Sequence, residues 1–380
     1  MTYKTDTVCV HGQNIYCRQH PYGAVATPIY QTATFSHPAV GSSTGFDYSR
    51  ESNPTRSELE ETINGLEHAV LSLACSSGMA ALTLCLELFD SGDHILCTED
   101  LYGGSVRLFS SLGKKRGISF SYADTSNIEE TRARITPQTK ALYIETPSNP
   151  TMGVTDIRAM KKLADEYSLL LIADNTFLSP YFQNPLDLGA DLVIHSGTKF
   201  LNGHNDVLAG FVCTNREDLA EQLRYLYKTV GSCLSAFDSY LLLRGLKTLA
   251  VRMERQQKNA LQIAQWLKKQ PQVTDVLYIG LPKHPGYEVN LSQSRGFGSM
   301  ISFHVDSKET AIRILNSVKL ITYAESLGGT ESLITYPRLQ THADVPEEIR
   351  ERLGINDRLF RFSVGLEDVE DLIADLKQAF

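Results

Sequence analysis

Ala190-Asp-Leu-Val-Ile-His-Ser-Gly-Thr-Lys-Phe-Leu-Asn-Gly-His-Asn-Asp206 decides how the rest of the chain reads. It opens on a short apolar run of strand type, Leu192 to Ile194. It then turns small and polar at Ser196, Gly197 and Thr198, and presents Lys199 before further turn residues. An ammonium at the carboxyl end of a buried strand is partly desolvated. Its pKa falls, and the amine becomes nucleophilic enough to hold a carbonyl as a Schiff base. A strand-end lysine reaching into water is the commoner use of such a pattern.

The stretch upstream, Leu169-Leu-Leu-Ile-Ala-Asp-Asn-Thr176, is an apolar strand ending in Asp174. Twenty-five residues separate Asp174 from Lys199, about one strand-helix-strand unit of a parallel sheet. Two strands of one sheet thus deliver a carboxylate and an amine to the same edge. Pyridoxal phosphate needs that pair: a lysine for its aldehyde, and an acid that keeps its pyridine nitrogen protonated so that the ring serves as an electron sink. For Asp174 alone, capping of the next turn is the alternative.

A chain of 380 residues with 42% hydrophobic content has ample material for a large core and for two domains, one dominant. A net charge of −8 without a basic run speaks against nucleic acid. No apolar stretch approaches a membrane span, and the opening Met1-Thr-Tyr-Lys-Thr-Asp6 lacks a signal-peptide pattern. Cys9, Cys17, Cys75, Cys85, Cys97, Cys213 and Cys233 are scattered, with no Cys-x-x-Cys pair, and read as free thiols of a reducing cytoplasm. The ten histidines show no ligand spacing, so no metal is expected.

Residues 1–55 form an arm with little periodicity, which such a composition leaves to lie on something else. Arg50 and Arg56, taken singly, read as solvated or ion-paired. Residues 56–245 follow as the larger domain, starting with a helix over Arg56 to His68 that carries Leu59, Ile63 and Leu66 on one face. Strands at Val70 to Ala74, His94 to Thr98, Ser119 to Ala123, Ala141 to Glu145 and Leu169 to Ala173 alternate with helix-length segments. The pattern is an α/β one, a mostly parallel sheet with sites at the strands' carboxyl ends. Ser76-Ser-Gly-Met-Ala80 turns from strand into helix and offers hydroxyls and free N–H groups, either as an anion cradle or as an ordinary cap. Leu101-Tyr-Gly-Gly104 lets a backbone pass close to a planar ligand on which Tyr102 stacks, and Glu145-Thr-Pro-Ser-Asn149 stiffens a polar loop. Core packing and turn formation are the respective alternatives. Beyond Asn215 the composition changes. A long helical region, Phe237 to about Gln270, broken near Gly245, leads into a small α+β domain, 246–380, with strands near 273–279, 299–305 and 359–364. There Arg361 interrupts an apolar strand, either paired internally or aimed at a carboxylate.

Tyr48-Ser-Arg50, Asn53-Pro-Thr-Arg56, Ser77-Gly-Met79, Tyr102-Gly-Gly104, Glu145-Thr-Pro-Ser-Asn-Pro150, Asp174-Asn-Thr-Phe177, His195-Ser-Gly-Thr-Lys199, Gly203-His204 and Ala324-Glu-Ser-Leu-Gly-Gly-Thr-Glu-Ser-Leu333 span the chain in order. Together they resemble the Cys/Met-metabolism family of pyridoxal-phosphate enzymes, nearest its cystathionine γ-synthases and γ-lyases. The resemblance implies the aspartate-aminotransferase-like fold (fold type I) and a homotetramer, a dimer of dimers with shared active sites. By the same likeness Lys199 carries the Schiff base and Asp174 pairs with the pyridinium. Tyr102 stacks on the ring and joins in catalysis; Ser77, Gly78, Met79, Ser196 and Thr198 hold the phosphate. Tyr48 and Arg50 reach the neighbouring subunit's phosphate. Arg107, Asn149, Glu325, Ser326 and Arg361 bind the substrate, Arg361 taking its carboxylate.

Methionine γ-lyases of that family carry a cysteine where this chain has Gly104. Glu325 matches a position that is acidic in the synthases and γ-lyases, which implies a substrate with a distal ammonium. Asp47 in Gly45-Phe-Asp-Tyr48, Phe237-Asp-Ser-Tyr-Leu-Leu-Leu-Arg-Gly245, His204-Asn-Asp206 and Thr335-Tyr-Pro-Arg-Leu-Gln-Thr-His-Ala-Asp344 look like the synthase branch. Glu51 stands where some succinyl-ester-using synthases have a second arginine, which leaves an acetyl ester. The expected activity is therefore γ-replacement of an O-acylhomoserine, acetyl before succinyl, by cysteine to give cystathionine. γ-Elimination of cystathionine is the alternative. A non-catalytic member would have lost Lys199 or Asp174, and both are present.

Overall fold

The computed structural model describes residues 3–12, 20–343, 345 and 347–380; Cys17 and Asp344 lie outside the described residues. The larger sheet contains β1 (Leu71–Cys75), β2 (His94–Thr98), β3 (Ser119–Ala123), β4 (Thr139–Glu145), β5 (Leu170–Asp174), β6 (Leu192–Ser196) and β7 (Gly210–Thr214). Their order is β1-β7-β6-β5-β4-β2-β3. β2 to β6 run parallel, and β7 is antiparallel to both β6 and β1. β1, β2 and β7 are buried at every position, which is why they read as unbroken apolar runs: helices cover both faces of the sheet. The expected mostly parallel sheet is thus present. β7 has no such signal in the sequence, because an antiparallel return after β6 needs only a loop and no helix-length segment.

One face of the sheet packs on Leu59, Ile63 and Leu66 of the helix Pro54–Glu67 and on Leu242 and Leu246 of the helix Ala236–Leu246. The other packs on Leu82 and Leu86 of the helix Gly78–Leu86 and on Leu219 and Leu223 of the helix Glu217–Val230. Capping fixes where these helices begin. Asn53 Oδ1 accepts the Thr55 N–H at 3.0 Å with Pro54 at the first helical position, and Ser77 Oγ accepts the Ala80 N–H at 3.0 Å. The arm divides in two. Residues 24–52 are mostly exposed, Val25 at 94% and Val40 at 107%. The helix Thr5–His11, against the expectation of an arm without a core, buries Val8 and Cys9 in the main cluster.

A second sheet is built from β8 (Val273–Leu277), β9 (Met300–Val305), β10 (Thr322–Tyr323), β11 (Leu333–Thr335) and β12 (Leu359–Ser363), in the order β10-β11-β12-β9-β8. β10 and β11 are too short for a period to show in sequence. The helix pair Ala236–Leu246 and Leu249–Leu267 breaks at the position anticipated. Alternation along β12 places its chemistry: Phe360 and Phe362 enter the second core with Phe303, so Arg361 stands on the opposite face.

Candidate functional site

Strand order reverses between β2 and β4: the chain steps outward from β2 to β3, then the other way from β4 through β5 to β6. In open parallel sheets that reversal opens a crevice at the carboxyl ends. Glu145, the last residue of β4, and Asp174, the last of β5, are register partners there. Glu145 Oε2 accepts the Tyr102 N–H at 3.1 Å, so the loop after β2 is tied across the crevice to β4. Burial pushes the Glu145 carboxyl well above the carboxylate range, and the charge of Asp174 adds to it. Burial also raises Asp174, opposed by hydrogen bonds from Thr176, whose N–H reaches Oδ1 at 3.0 Å, and from the Tyr143 hydroxyl, 3.4 Å from Oδ2. The Tyr102 ring lies against Gly104, where a Cβ would sit 2.3 Å from Tyr102 Cε1. Any side chain at 104 therefore has to displace the ring.

Lys199 sits in the turn after β6, and its Nζ donates to Ser326 Oγ at 2.9 Å. Burial lowers its pKa to about 8; the positive charge of Arg361 helps and Glu325 opposes. Across the cavity, Arg361 donates from Nη1 to Asn149 Oδ1 at 3.2 Å, and from Nη2 to the Ser326 carbonyl at 2.9 Å and to Thr335 Oγ1 at 3.2 Å. Its Nε is buried without a partner among the described residues. Ser326 holds φ at 88°, the left-handed region, a conformation that costs a serine on the order of 1–3 kcal/mol. That conformation turns its hydroxyl to Lys199 and its carbonyl to Arg361. Glu325 is exposed on the wall of the same cavity.

The helix Gly78–Leu86 opens on this cavity, and its first N–H groups have no intrahelical acceptor. Gly78 lies so near β6 that a Cβ would come 3.0 Å from Ser196 Cβ. Thr198 is held by Ala209, accepting its N–H at 3.0 Å and donating to its carbonyl at 3.2 Å. Ser77, Gly78, Met79, Tyr102, Asn149, Asp174, Ser196, Thr198, Lys199, Glu325, Ser326 and Arg361 thus meet around one cavity. Tyr48 and Arg50, expected at a neighbouring subunit's phosphate, and Arg107, expected here, do not. Tyr48 and Arg50 line a separate surface cavity with Arg56, and Arg50 Nη1 donates to the Lys228 carbonyl. Arg107 is exposed on the helix Gly103–Leu108 and does not line the cavity, because its neighbours Ser105 and Leu108 take the buried positions of that short helix.

The family profile described as Cys/Met metabolism PLP-dependent enzyme matches residues 6–380. The chain belongs to this family. It is 47% identical over 376 residues to the cystathionine gamma-lyase of Bacillus subtilis, covering 99% of each chain. It is 48% identical over 357 residues to that organism's cystathionine gamma-synthase/O-acetylhomoserine (thiol)-lyase, covering 94% of this chain and 91% of the relative. The crystal structure of cystathionine gamma-lyase from Lactobacillus plantarum, complexed with L-serine, superposes with a TM-score of 0.96 at 43% identity over 100% of this chain and 98% of that one. The family's pyridoxal phosphate fits the residues present. A helix N-terminus meets Ser196 so closely that a Cβ at Gly78 would crowd it, an amine of lowered pKa and a buried carboxylate face one cavity, and Arg361 keeps an N–H unpartnered among the described residues.

Two members of the site escaped the sequence reading. Glu145 ends an apolar strand just as Asp174 does, and that shared signal was available. His342 had none. It is buried at 1% exposure, with Nε2 3.0 Å from the Asn149 carbonyl and 3.2 Å from the Leu101 carbonyl, and Nδ1 2.9 Å from Thr341 Oγ1. Two carbonyls at Nε2 require the proton there, and Nδ1 then accepts from the threonine. His342 so straps the Tyr102 and Asn149 loops together.

Proposed function

We propose that this chain makes cystathionine by γ-replacement, exchanging the acyl group of an O-acylhomoserine, acetyl before succinyl, for the thiol of cysteine. The observation that carries this reading is the pairing of Arg361 and Glu325 around Lys199: a cation for an α-carboxylate at one end and an anion for a distal ammonium at the other. Among the described residues Glu325 accepts no backbone hydrogen bond from the Leu327–Gly329 turn, and Gly328 N–H goes instead to Ser363 Oγ at 2.8 Å. Its carboxylate is therefore left for a ligand. Lys199 would hold the cofactor's aldehyde, Asp174 its ring nitrogen, Tyr102 its ring face, and Ser77, Gly78, Met79, Ser196 and Thr198 its phosphate. Bound pyridoxal phosphate supplies a sink for the charge left when the α-proton departs. Lys199 Nζ, a base near neutrality once freed, would take that proton, return it to the bound cofactor and, neutral again, take one from Cβ. Arg361 and Asn149 orient the α-carboxylate. The exposed residues 24–52, with Tyr48 and Arg50 away from their own chain's cavity, support a dimer-of-dimers homotetramer in which the arm serves a neighbour's phosphate.

The relative named cystathionine gamma-lyase, matched over 99% of both chains, favours a second reading, γ-elimination of cystathionine to cysteine, 2-oxobutanoate and ammonia. Product analysis separates them. Under the first reading, cystathionine forms from O-acetylhomoserine and cysteine faster than 2-oxobutanoate forms from cystathionine, and the reverse ranking rejects it. For the site itself, Glu325→Ala lowers kcat/KM for cystathionine or cysteine by roughly ten- to a hundredfold and spares O-acetylhomoserine. An equal fall for all substrates shows that Glu325 supports the loop only.

A further inference from the structure

Cys75 is the last residue of β1, immediately before the Ser76-Ser77-Gly78 turn. Residues 232–234 run antiparallel beside it. The Ser76 N–H reaches the Ser232 carbonyl at 2.8 Å, the Leu234 N–H reaches the Ala74 carbonyl at 2.9 Å, and Cys75 faces Cys233 between these two bonds. Such a non-hydrogen-bonded antiparallel pair brings Cα atoms to about 4.5 Å with both side chains on one face. Disulfides span Cα separations of about 4.4–6.8 Å. Both sulfurs pack into the same apolar cluster, and both are free thiols. The backbone is held in this register further by the Tyr227 hydroxyl, 2.6 Å from the Ala74 carbonyl.

We infer that Cys75 and Cys233 are a dithiol site for low-molecular-weight disulfides, closed by them into a cross-strand disulfide that staples the Ser76–Met79 turn to the segment before the helix Ala236–Leu246. The staple's effect on the cofactor rests on the phosphate role proposed above; the bond does not. The two thiols have different surroundings. Cys75 is fully buried and burial pushes its pKa up, whereas Cys233 is half-buried. Cys233 meets the reagent first. Its thiolate attacks one sulfur of RSSR, releasing RS⁻ and leaving Cys233–S–S–R. Cys75 then gives up its proton and attacks the Cys233 sulfur, expelling the second RS⁻. Two protein thiols and RSSR thus become one protein disulfide and two RSH, with two electrons passing to the small disulfide.

Holoenzyme treated with oxidised glutathione should lose two titratable thiols and give a Cys75–Cys233 cross-linked peptide by mass spectrometry, reversed by dithiothreitol. Cys233→Ser should keep basal activity and give no such peptide, and Cys75→Ala should stop at a glutathione adduct on Cys233. A lasting adduct at Cys233 in the unmutated chain, or no reaction there, overturns the dithiol site. With the bond formed, cofactor loss on dilution should slow by roughly tenfold, since a cross-link limits local opening of the turn. An unchanged or faster loss overturns the staple. A bond that forms while Ser77→Ala leaves cofactor affinity unaltered shows that the phosphate assignment has failed and the dithiol has not.

Discussion

Arg252 and Arg361 are both 2% exposed, and burial brings both guanidinium pKa values down to about 10. Their hydrogen bonds differ. Arg252 donates from Nε to Thr248 Oγ1 at 3.0 Å, from Nη1 to the Phe200 carbonyl at 2.8 Å, and from Nη2 to the Gly245 carbonyl at 3.0 Å and the Leu201 carbonyl at 3.4 Å. All three nitrogens are used, and the turn that carries Lys199 is clamped to the helices behind it. Arg361 uses Nη1 and Nη2 and leaves Nε without an acceptor among the described residues. Burial and a displaced pKa are common to a structural and a ligand-directed arginine; the completeness of the hydrogen bonding separates them.

The largest effect expected from this contrast is in stability. Arg252→Met orphans the carbonyls of buried Phe200 and Leu201 and costs about 3–5 kcal/mol, read as a lowered urea midpoint at constant m. A loss below about 1 kcal/mol would mean that Arg252 is no clamp. Arg361→Lys keeps the charge and loses the fork. It should lower kcat/KM by roughly 10²- to 10³-fold while stability changes by less than about 1 kcal/mol. Equal losses of stability in the two variants would erase the distinction.

Much of the site was legible because it lies where strand type changes to turn. Asp174 and Lys199 each close an apolar run, so residue order alone placed them at one sheet edge. Arg361 interrupts an apolar strand and announces itself in the same way. Arg252 did not: it sits mid-helix among other cations, and two of the carbonyls that occupy it, those of Phe200 and Leu201, lie 52 and 51 residues away along the chain, a tertiary fact without a local pattern. His342 lies in a loop for the same reason. The Arg107 side chain was placed by family likeness alone, and a one-turn helix decides which way such a residue faces.

Lys199 extends the contrast to an amine. Its folded pKa of about 8 lies below the ordinary 10.5, so between those values the unfolded chain binds the extra proton. In cofactor-free protein the penalty is present in full below pH 8 and is relieved as pH rises to 10.5. Lys199→Met should therefore stabilise the cofactor-free protein by on the order of 1–3 kcal/mol at pH 7, and the gain should shrink toward pH 10, while activity is abolished. A gain that does not change with pH points to packing rather than to the charge.

His342 tests the rule at its smallest scale, because its partners are complete, like those of Arg252, yet they belong to the site. Burial lowers its pKa from the ordinary 6.5, so above that value both states are neutral and nothing is lost. As pH falls through 6.5 the unfolded chain takes up a proton that the folded chain refuses, and stability declines. His342→Phe removes both the strap and this dependence. It should cost about 1 kcal/mol at pH 7.5 for the lost hydrogen bond, and the difference from the unmutated protein should narrow toward pH 5.5. Since the strap fixes the Asn149 and Leu101 carbonyls, KM for the amino-acid substrate should rise a fewfold with kcat nearly unchanged. A fall in kcat with KM constant would instead place His342 in the reaction itself, and would show that complete hydrogen bonding does not mark a purely structural residue.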